Sequence, residues 1–195
     1  MATQRNSVDL VDDTVVRQFA RAAVLAALIG VTALVGIPYP LSPAPVTLQV
    51  LFVFLAGLVL GPAWGAFSLL LYLTAGAAGV PVFSNMTAGI GVLFGNTGGY
   101  LWSYPIAAAL IGVIVHRGTA LRDLRDVPLT VVMGALVAAT IVIYAMGSVY
   151  MSLVLEMTLW EAVTVAALPF IPAEIVKMTA AVAIVRSGRI TPVRS

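Results

Sequence analysis

The amino-acid sequence consists mainly of long apolar runs, which short clusters of proline, glycine and polar residues separate. A segment in hydrocarbon must satisfy its backbone polar groups internally, so runs of this length predict helices rather than strands. The runs cover residues 19–37, 46–60, 63–78, 100–115, 129–155 and 172–186. The second and third are shorter than the roughly 20 residues of a perpendicular span, so they extend into the flanking turns or cross a locally thin region. The pattern predicts an all-α integral membrane protein with six transmembrane helices.

Composition places the chain in the membrane class and indicates a single domain. Of its 195 residues, 61% are hydrophobic and 9% are charged, and the mean hydropathy is +1.07, which is outside the range of soluble globular proteins. Cysteine is absent, which excludes disulfides, thiolate catalysis and cysteine-ligated metals. The first apolar run begins too late and is too long for a cleaved signal peptide. We expect a polar N-terminal tail over residues 1–16, one membrane domain over 17–187 and a basic C-terminal tail over 188–195.

Basic residues predict the orientation of the chain in the membrane. Three groups precede the first helix, separate the fourth helix from the fifth and follow the sixth: Arg5, Arg17 and Arg21; Arg117, Arg122 and Arg125; Arg186, Arg189 and Arg194. The loops on the opposite side, residues 38–45, 79–99 and 156–168, contain neither Lys nor Arg. Because positive loops stay on the cytoplasmic side, we expect both termini in the cytoplasm and the long loop 79–99 on the outer face of the cell membrane. Only Lys177 is a basic residue that this topology does not explain.

Lys177 follows Glu174 by three positions within the apolar sequence of the sixth helix. Pro172 suits the first turn of a helix, and the helix dipole favours a carboxylate close behind it. The two side chains lie about one turn apart on one face, where an ion pair that serves only stability is one interpretation. An ionisable side chain at membrane depth costs roughly 2.5 to 3.5 kcal/mol on insertion scales, and apolar replacement of a buried pair is often neutral or stabilising. A functional pair, suited to a small solute with both donors and acceptors, is therefore the better interpretation.

The loop 79–99 is uncharged and rich in glycine, and its polar side chains include Asn85, Thr87, Asn96 and Thr97. Such a loop either dips into the membrane and lines a solute pocket or forms an ordinary turn. Its glycines do not have the spacing of a dinucleotide site, and the chain contains no P-loop. The sequence therefore predicts a protein without an ATPase site of its own.

Small and aromatic residues predict packing surfaces. Ala22 and Ala26, or Ala23 and Ala27, lie four positions apart on the first helix and allow close approach of another helix. The aromatic residues near the predicted interfaces fit membrane belts, although the outer ones could also form a pocket wall. They are Trp64 on the inner side and Tyr39, Tyr100, Trp102 and Trp160 on the outer side. His116, the single histidine, is expected to be a polar residue at a helix end.

Three segments of the sequence together resemble one known family. They are PAPVTLQVLFVFLAGLVLGPAWGAFSLLLYLTAGAAGVPVF, GNTGGYLWSYPIAAALIG and PFIPAEIVKM. Over about residues 43–112 and 169–185 the chain is similar to BioY, the biotin-specific substrate-binding (S) component of energy-coupling factor (ECF) transporters. The resemblance implies a six-helix membrane protein that captures biotin from outside and associates with a transmembrane coupling (T) component and two cytoplasmic ATPases. It implies no enzymatic activity, no cofactor, no metal and no nucleic-acid partner.

The resemblance also implies site residues. An Asp and a Lys of the sixth helix and an outer-loop Asn contact biotin in the family, and the matching residues here are Glu174, Lys177 and Asn85. The alanines of the first helix resemble the surface on which the family docks the coupling component, and both pairs remain candidates. The chain departs from the family at Glu174, where Asp is usual, and at Asn96, where Pro is usual. Glu reaches one methylene further, so the depth of the pocket or the register of the ligand is expected to differ.

Three other functions are alternatives to biotin capture with an ECF module. The chain would be an S component for a different vitamin, a stand-alone secondary biotin carrier, or an intramembrane enzyme. The predicted helices hold no Asp pair, no Cys and no Ser–His combination, which argues against the enzyme.

Overall fold

The apolar runs form helices in the structure, a computed structural model that describes residues 12–34, 36–37, 42, 44–118 and 120–188. Helices α1 to α6 cover Asp13–Ala33, Gln49–Ala77, Gly98–His116, Leu129–Val154, Leu159–Ala166 and Ile171–Arg186. Short 3-10 helices cover Ser84–Met86, Ile90–Phe94 and Leu168–Phe170. Within the described ranges, β-structure is limited to the isolated bridges Ile37–Val46 and Phe83–Thr87. The predicted all-α class is thus confirmed.

Five helical segments of the described chain are long and apolar enough to cross a membrane. They are Asp13–Ala33, Gln49–Ala77, Gly98–His116, Leu129–Val154 and Leu159–Arg186, the last of which runs through α5 and α6. Apolar side chains such as Val24, Val31 and Ile141 are exposed on these helices. A soluble protein would not expose so many large apolar side chains along whole helices, so these surfaces face lipid.

Helix α2 turns back on itself at Gly61. This residue has φ 74° and ψ −170°, and Pro62 follows it, so the helical geometry is interrupted. Gln49 Nε2 donates to the hydroxyl of Tyr72 over 2.7 Å, although the two residues would be about 35 Å apart in a straight helix. The two halves, 49–60 and 62–77, therefore pack side by side. They correspond to the predicted second and third helices, and the interruption lies at the predicted turn.

Glycines let the neighbouring helices approach this turn closely. A Cβ atom at Gly65 would lie 2.9 Å from the carbonyl oxygen of Ala56, and one at Gly112 would lie 2.3 Å from the nitrogen of Pro62. Helix α2 accordingly packs mainly against α3 and α1, and α3 packs against α4. We call the end of the bundle at Gly61 the hinge end and the opposite end, where the loop 79–97 lies, the loop end.

His116 completes the backbone hydrogen bonding at the hinge end. The carbonyl of Leu58 would normally accept from the residue four positions later, but that residue is Pro62 and has no N–H. His116 Nε2 lies 2.9 Å from this carbonyl oxygen, and its Nδ1 accepts from the backbone N–H of Arg122 over 3.1 Å. Since Nδ1 is the acceptor, Nε2 carries the proton and donates. The residue expected to be a polar helix end is thus a buried cap, only 3% exposed.

Two elements begin or occur where the sequence analysis did not expect them. Helix α1 starts at Asp13, inside the segment interpreted as a tail, and its first turn is capped by Asp12, which accepts from Thr14 N–H over 2.7 Å. Helix α5 lies in what was interpreted as the loop 156–168. The remainder of the predicted N-terminal tail, most of the predicted C-terminal tail, and Arg5, Tyr39, Arg189 and Arg194 lie outside the described residues.

The four alanines of α1 do not share one environment. Ala22 is fully buried, and its carbonyl accepts from Ser68 Oγ over 2.9 Å. Ala26 is partly buried against the core, as expected for the same helical face. Ala23 is intermediate and Ala27 is exposed. The Ala22–Ala26 pair therefore packs within the chain, and the Ala23–Ala27 pair is the more accessible one.

Candidate functional site

A cavity of about 420 Å³ opens at the loop end of the bundle. It is lined by the loop 79–97, the residues that precede α2 and by side chains of α3, α4 and α6. Its polar or aromatic lining consists of Thr47, Gln49, Phe83, Ser84, Asn85, Thr87, Asn96, Thr97, Tyr100, Tyr104, Tyr144, Phe170, Glu174 and Lys177. A mainly apolar cavity of this size with a few convergent polar groups is typical of a small-molecule site. The loop therefore lines a pocket, the first of the two interpretations of its sequence.

Glu174 and Lys177 lie at the bottom of this cavity on the first turns of α6. The helix begins at Ile171 with a proline in its first turn, so both side chains project from one face at a spacing of about one turn. Lys177 Nζ donates to Glu174 Oε1 over 2.7 Å. The residues are 2% and 5% exposed, so the charges are almost fully removed from solvent. The sequence analysis predicted that both side chains lie on one face of this helix within apolar surroundings, and it gave an ion pair as one interpretation.

The hydrogen bonds of the Glu174 carboxylate are unevenly distributed. Oε1 accepts from Lys177 and also from the hydroxyl of Tyr144, which lies 2.9 Å away. Oε2 is buried and has no hydrogen-bond partner among the described residues. A buried charged oxygen without a partner carries a large desolvation cost. The arrangement therefore leaves one strong acceptor position ready for an N–H or O–H group of a ligand.

Asn85 lines the same cavity from the loop 79–97. It lies in the short 3-10 turn Ser84–Met86 with φ 58° and ψ 37°, a left-handed geometry that Asn tolerates better than most residues. Its side chain is exposed to the cavity and forms no hydrogen bond with Glu174 or Lys177 in the described structure. All three predicted site residues thus line one cavity, and Asn85 stands apart from the ion pair.

The segment that carries Asn85 is anchored by its neighbours. The Phe83 ring is buried where a Cβ atom at Gly76 would lie 2.2 Å from it, and it packs edge-on against Tyr72 with ring centroids 5.5 Å apart. Ser84 Oγ donates to Gln49 Oε1 over 3.2 Å. Since Gly76 and Tyr72 belong to α2, these contacts hold this wall of the cavity against the second half of that helix.

Sequence reasoning missed a polar network and most of the aromatic residues that line the cavity. We call Tyr100, Tyr104, Tyr144 and Phe170 the aromatic wall. Gln49 Oε1 accepts from Thr47 Oγ1 over 2.9 Å, and Tyr72 receives the Gln49 amide hydrogen described above. Tyr100, Tyr104 and Tyr144 line the same cavity as the ion pair. The long apolar runs that contain these residues gave no local sign of a site. Only the placement of three tyrosines (Tyr72, Tyr104 and Tyr144) and Gln49 within apolar helices, where hydroxyl and amide groups need partners, could have indicated them.

The predicted belt aromatics have different environments. Tyr100 is buried in the cavity wall and donates to the carbonyl of Ala166 over 2.7 Å. Trp160 is 71% exposed at the start of α5, and Trp102 is partly exposed with its indole N–H on the carbonyl of Leu93. Trp64 packs edge-on against Phe67 near the hinge end. Tyr100 therefore belongs to the pocket, and the tryptophans remain at the surface.

A helical bundle with lipid-facing sides and an internal, mainly apolar cavity with a few convergent polar groups defines an integral membrane protein that binds small solutes. The sequence model of the BioY family matches residues 2–192. The chain belongs to the BioY family.

Individual relatives agree with this assignment. The chain is 34% identical to "Biotin transporter BioY" of Thermotoga maritima over 165 residues. This alignment covers 85% of this chain and 91% of the relative. It is 38% identical over 168 residues to "Probable biotin transporter BioY" of Pyrococcus horikoshii, and this alignment covers 86% of this chain and 93% of the relative. The fold is similar to a crystal structure of the S-component for biotin from an ECF-type ABC transporter. That similarity has a TM-score of 0.78 at 25% identity and covers 92% of this chain and 94% of the other.

Proposed function

We propose that this protein captures biotin at the outer face of the cell membrane as the S component of an ECF-type transporter. The observation that carries the proposal is the buried carboxylate of Glu174, a residue that lines a cavity of suitable size and whose Oε2 has no partner among the described residues. The relatives named as biotin transporters support the choice of ligand.

The chemistry of biotin matches the groups in the cavity. Its ureido ring offers two N–H donors and a carbonyl oxygen, and its tail ends in a carboxylate. A ureido N–H would donate to Glu174 Oε2, whereas Lys177 and Asn85 would donate to oxygens of the ligand. The tyrosine and phenylalanine rings of the wall would bury the apolar thiophane ring.

Six membrane crossings with both termini in the cytoplasm complete the proposal. The side-by-side packing of the two halves of α2 supports two crossings within that helix. The basic residues Arg117, Arg122 and Arg125 follow α3 at the hinge end, away from the cavity. The positive-inside rule then makes the hinge end cytoplasmic and the cavity accessible from outside.

ATP-driven transport requires partners, since the chain contains no P-loop. We propose a T component and two cytoplasmic ATPases, in line with the ECF-type description of the similar structure. Of the two alanine pairs on α1, Ala23 and Ala27 are the ones accessible to a partner helix. Replacing Ala27 by Leu is expected to weaken copurification with the T component while leaving biotin binding intact, and Ala26→Leu serves as the comparison within the chain.

Binding to the purified protein tests the ligand and the site together. We expect tight binding of labelled biotin that a panel of other unlabelled vitamins does not displace, and strong losses of affinity in Glu174→Ala and Lys177→Ala. If both variants bound biotin as tightly as the parent, the site would be wrong. If another vitamin displaced biotin, the ligand would be wrong. Uptake into cells that lack the ATPase subunits separates a stand-alone carrier from an ECF component.

A further inference from the structure

Tyr144 is the one described residue outside α6 that forms a hydrogen bond with the Glu174 carboxylate. It projects from the middle of α4 into the cavity, and its hydroxyl donates to Oε1 over 2.9 Å. Lys177 donates to the same oxygen over 2.7 Å. A carboxylate oxygen has two lone pairs, so these two bonds occupy Oε1 and leave Oε2 as the free position.

The Tyr144 ring has little freedom to release this bond. It packs edge-on against Tyr100, with ring centroids 5.9 Å apart, and lies 6.3 Å from the ring of Phe170. Tyr100 is itself held by its bond to the Ala166 carbonyl, and a Cβ atom at Gly147 would lie 2.2 Å from the Tyr100 ring. The absence of a side chain at Gly147, one turn after Tyr144 on α4, therefore lets the two rings meet. The aromatic wall fixes where the hydroxyl points.

The charge of the site is balanced before any ligand enters. Glu174 and Lys177 are the only ionisable acidic or basic side chains among the described residues that line the cavity. Because Lys177 neutralises the carboxylate, a cationic ligand would gain little net attraction and would lie close to the Lys177 ammonium. A guanidinium group would also need both carboxylate oxygens for its bidentate geometry, and Oε1 is occupied.

We infer that Tyr144 determines specificity for a neutral cyclic urea over a cyclic guanidinium, because it holds Oε1 and presents Oε2 alone to the ligand. This inference rests on the proposed capture of biotin and adds to it the residue that selects the charge state of the ligand head group. Tyr144 acts through Glu174 and is a positioning residue. Removing its hydroxyl frees one lone pair of Oε1 and lets the carboxylate accept a two-point contact.

The test compares two ligands on two variants of the same helix. Tyr144→Phe removes the hydroxyl and keeps the ring, whereas Tyr150→Phe makes the same change on α4 at a residue that does not line the cavity. Affinities for biotin and for 2-iminobiotin, in which a guanidinium replaces the urea at neutral pH, are measured by calorimetry on protein in detergent. In Tyr144→Phe we expect biotin affinity to fall about tenfold. The affinity for 2-iminobiotin should stay unchanged or rise, so that the ratio of the two affinities, which favours biotin in the parent, falls by about tenfold or more. Tyr150→Phe should keep the parental ratio.

Three results would overturn the inference. An equal loss of affinity for both ligands would mean that Tyr144 only supports the fold, and parental affinity for both ligands would mean that its hydroxyl does not orient the carboxylate. The parental protein gives a further check that needs no variant, since equal affinity for the two ligands would exclude any such selection. These results differ from a failure of the proposed function, in which the parental protein would bind neither ligand.

Discussion

The hinge end and the loop end of the bundle both contain a buried polar side chain that interacts across helices, but they use it differently. At the hinge end both ring nitrogens of His116 have partners, the Leu58 carbonyl and the Arg122 N–H. At the loop end the Glu174 carboxylate has two donors on Oε1 and none among the described residues on Oε2. His116, whose two nitrogens both have partners, supplies hydrogen bonds that the fold needs. Glu174, whose Oε2 has none, can still accept a hydrogen bond from a ligand.

The same contrast separates stability from binding. His116 replaces a backbone hydrogen bond that Pro62 cannot supply, so removal of the His116 side chain should lower the free energy of unfolding. Glu174 and Lys177 cost desolvation energy that the fold does not need. Variants at the two ends should therefore change different measured quantities, and the five predictions below run from the largest expected effect to the smallest.

Removing one member of the ion pair should have the largest effect. Lys177→Met leaves the Glu174 carboxylate buried without its counter-charge, and breaking such a pair costs about 3 to 5 kcal/mol of unfolding free energy. Biotin binding should be lost as well. Thermal unfolding in detergent measures the first effect and equilibrium binding of labelled biotin the second.

The double variant Glu174→Gln with Lys177→Met shows whether the pair serves function rather than stability. It should recover most of the stability that the single variant loses, because no unpaired charge remains. It should still fail to bind biotin. If the double variant were as unstable as Lys177→Met, or if it bound biotin normally, the ion pair would not serve binding rather than stability, and the contrast with His116 would be wrong.

His116→Ala should destabilise the protein without changing the site. It leaves the Leu58 carbonyl and the Arg122 N–H without their partner, and each unsatisfied buried group costs about 1 to 3 kcal/mol. The biotin affinity of the folded protein should equal that of the parent, since His116 is at the opposite end from the cavity. Reduced affinity together with an unchanged unfolding temperature would contradict the structural role.

Gly147→Ala should lower both the stability and the biotin affinity, each to a smaller degree. A methyl group there would overlap the Tyr100 ring, with 2.2 Å between the Cβ atom and the ring, and overpacking of this kind typically costs about 1 to 3 kcal/mol. Because Tyr100 packs on Tyr144, biotin affinity should fall too. Gly134→Ala is the matched control on the same helix, since no atom lies within 4 Å of the added Cβ. If Gly147→Ala and Gly134→Ala had equal stability and equal biotin affinity, the aromatic wall would be able to adjust to the added methyl group.

Asn85→Gly should have the smallest effect. Glycine removes the side-chain amide and adopts the φ of 58° at this position without strain. The loss of one neutral hydrogen bond to the ligand corresponds to about 0.5 to 1.5 kcal/mol of binding free energy. The neighbouring Met86→Gly, at φ 60° on a side chain that does not line the cavity, is the control for loop flexibility. If both variants lowered biotin affinity equally, the loop conformation and not the Asn85 amide would be responsible.

The sequence was sufficient to predict the main helices and the ion pair, for physical reasons. Long apolar runs leave few alternatives to helices in a membrane, and the Gly61–Pro62 pair marks an interruption of a helix by its backbone chemistry. Glu174 and Lys177 were conspicuous because charges are expensive in apolar surroundings. Their contacts with biotin remain a prediction, as does the role of Asn85.

Other features depend on tertiary packing and could not be predicted in the same way. Tyr144 is one aromatic residue in a 26-residue apolar helix, and only the packing of α4 against α6 brings its hydroxyl to Glu174. His116 became significant only once α3 was placed beside Leu58. Helix α5 is different, because Thr158 and Glu161 have the spacing of a capping box, and both of its hydrogen bonds are present. That signal was in the sequence and was overlooked beside the long apolar runs.

The hydrogen bond between Tyr144 and Glu174 also has a consequence for biogenesis. Helix α6 carries two charges in its first turns, so its entry into the bilayer as an isolated segment would be unfavourable. Its polar partner on α4 is synthesised earlier, so the receiving surface exists before α6 leaves the ribosome. We therefore expect α6 to leave the insertion machinery by packing against α4, and cross-linking of Tyr144→Phe nascent chains should show that α6 is retained there for longer.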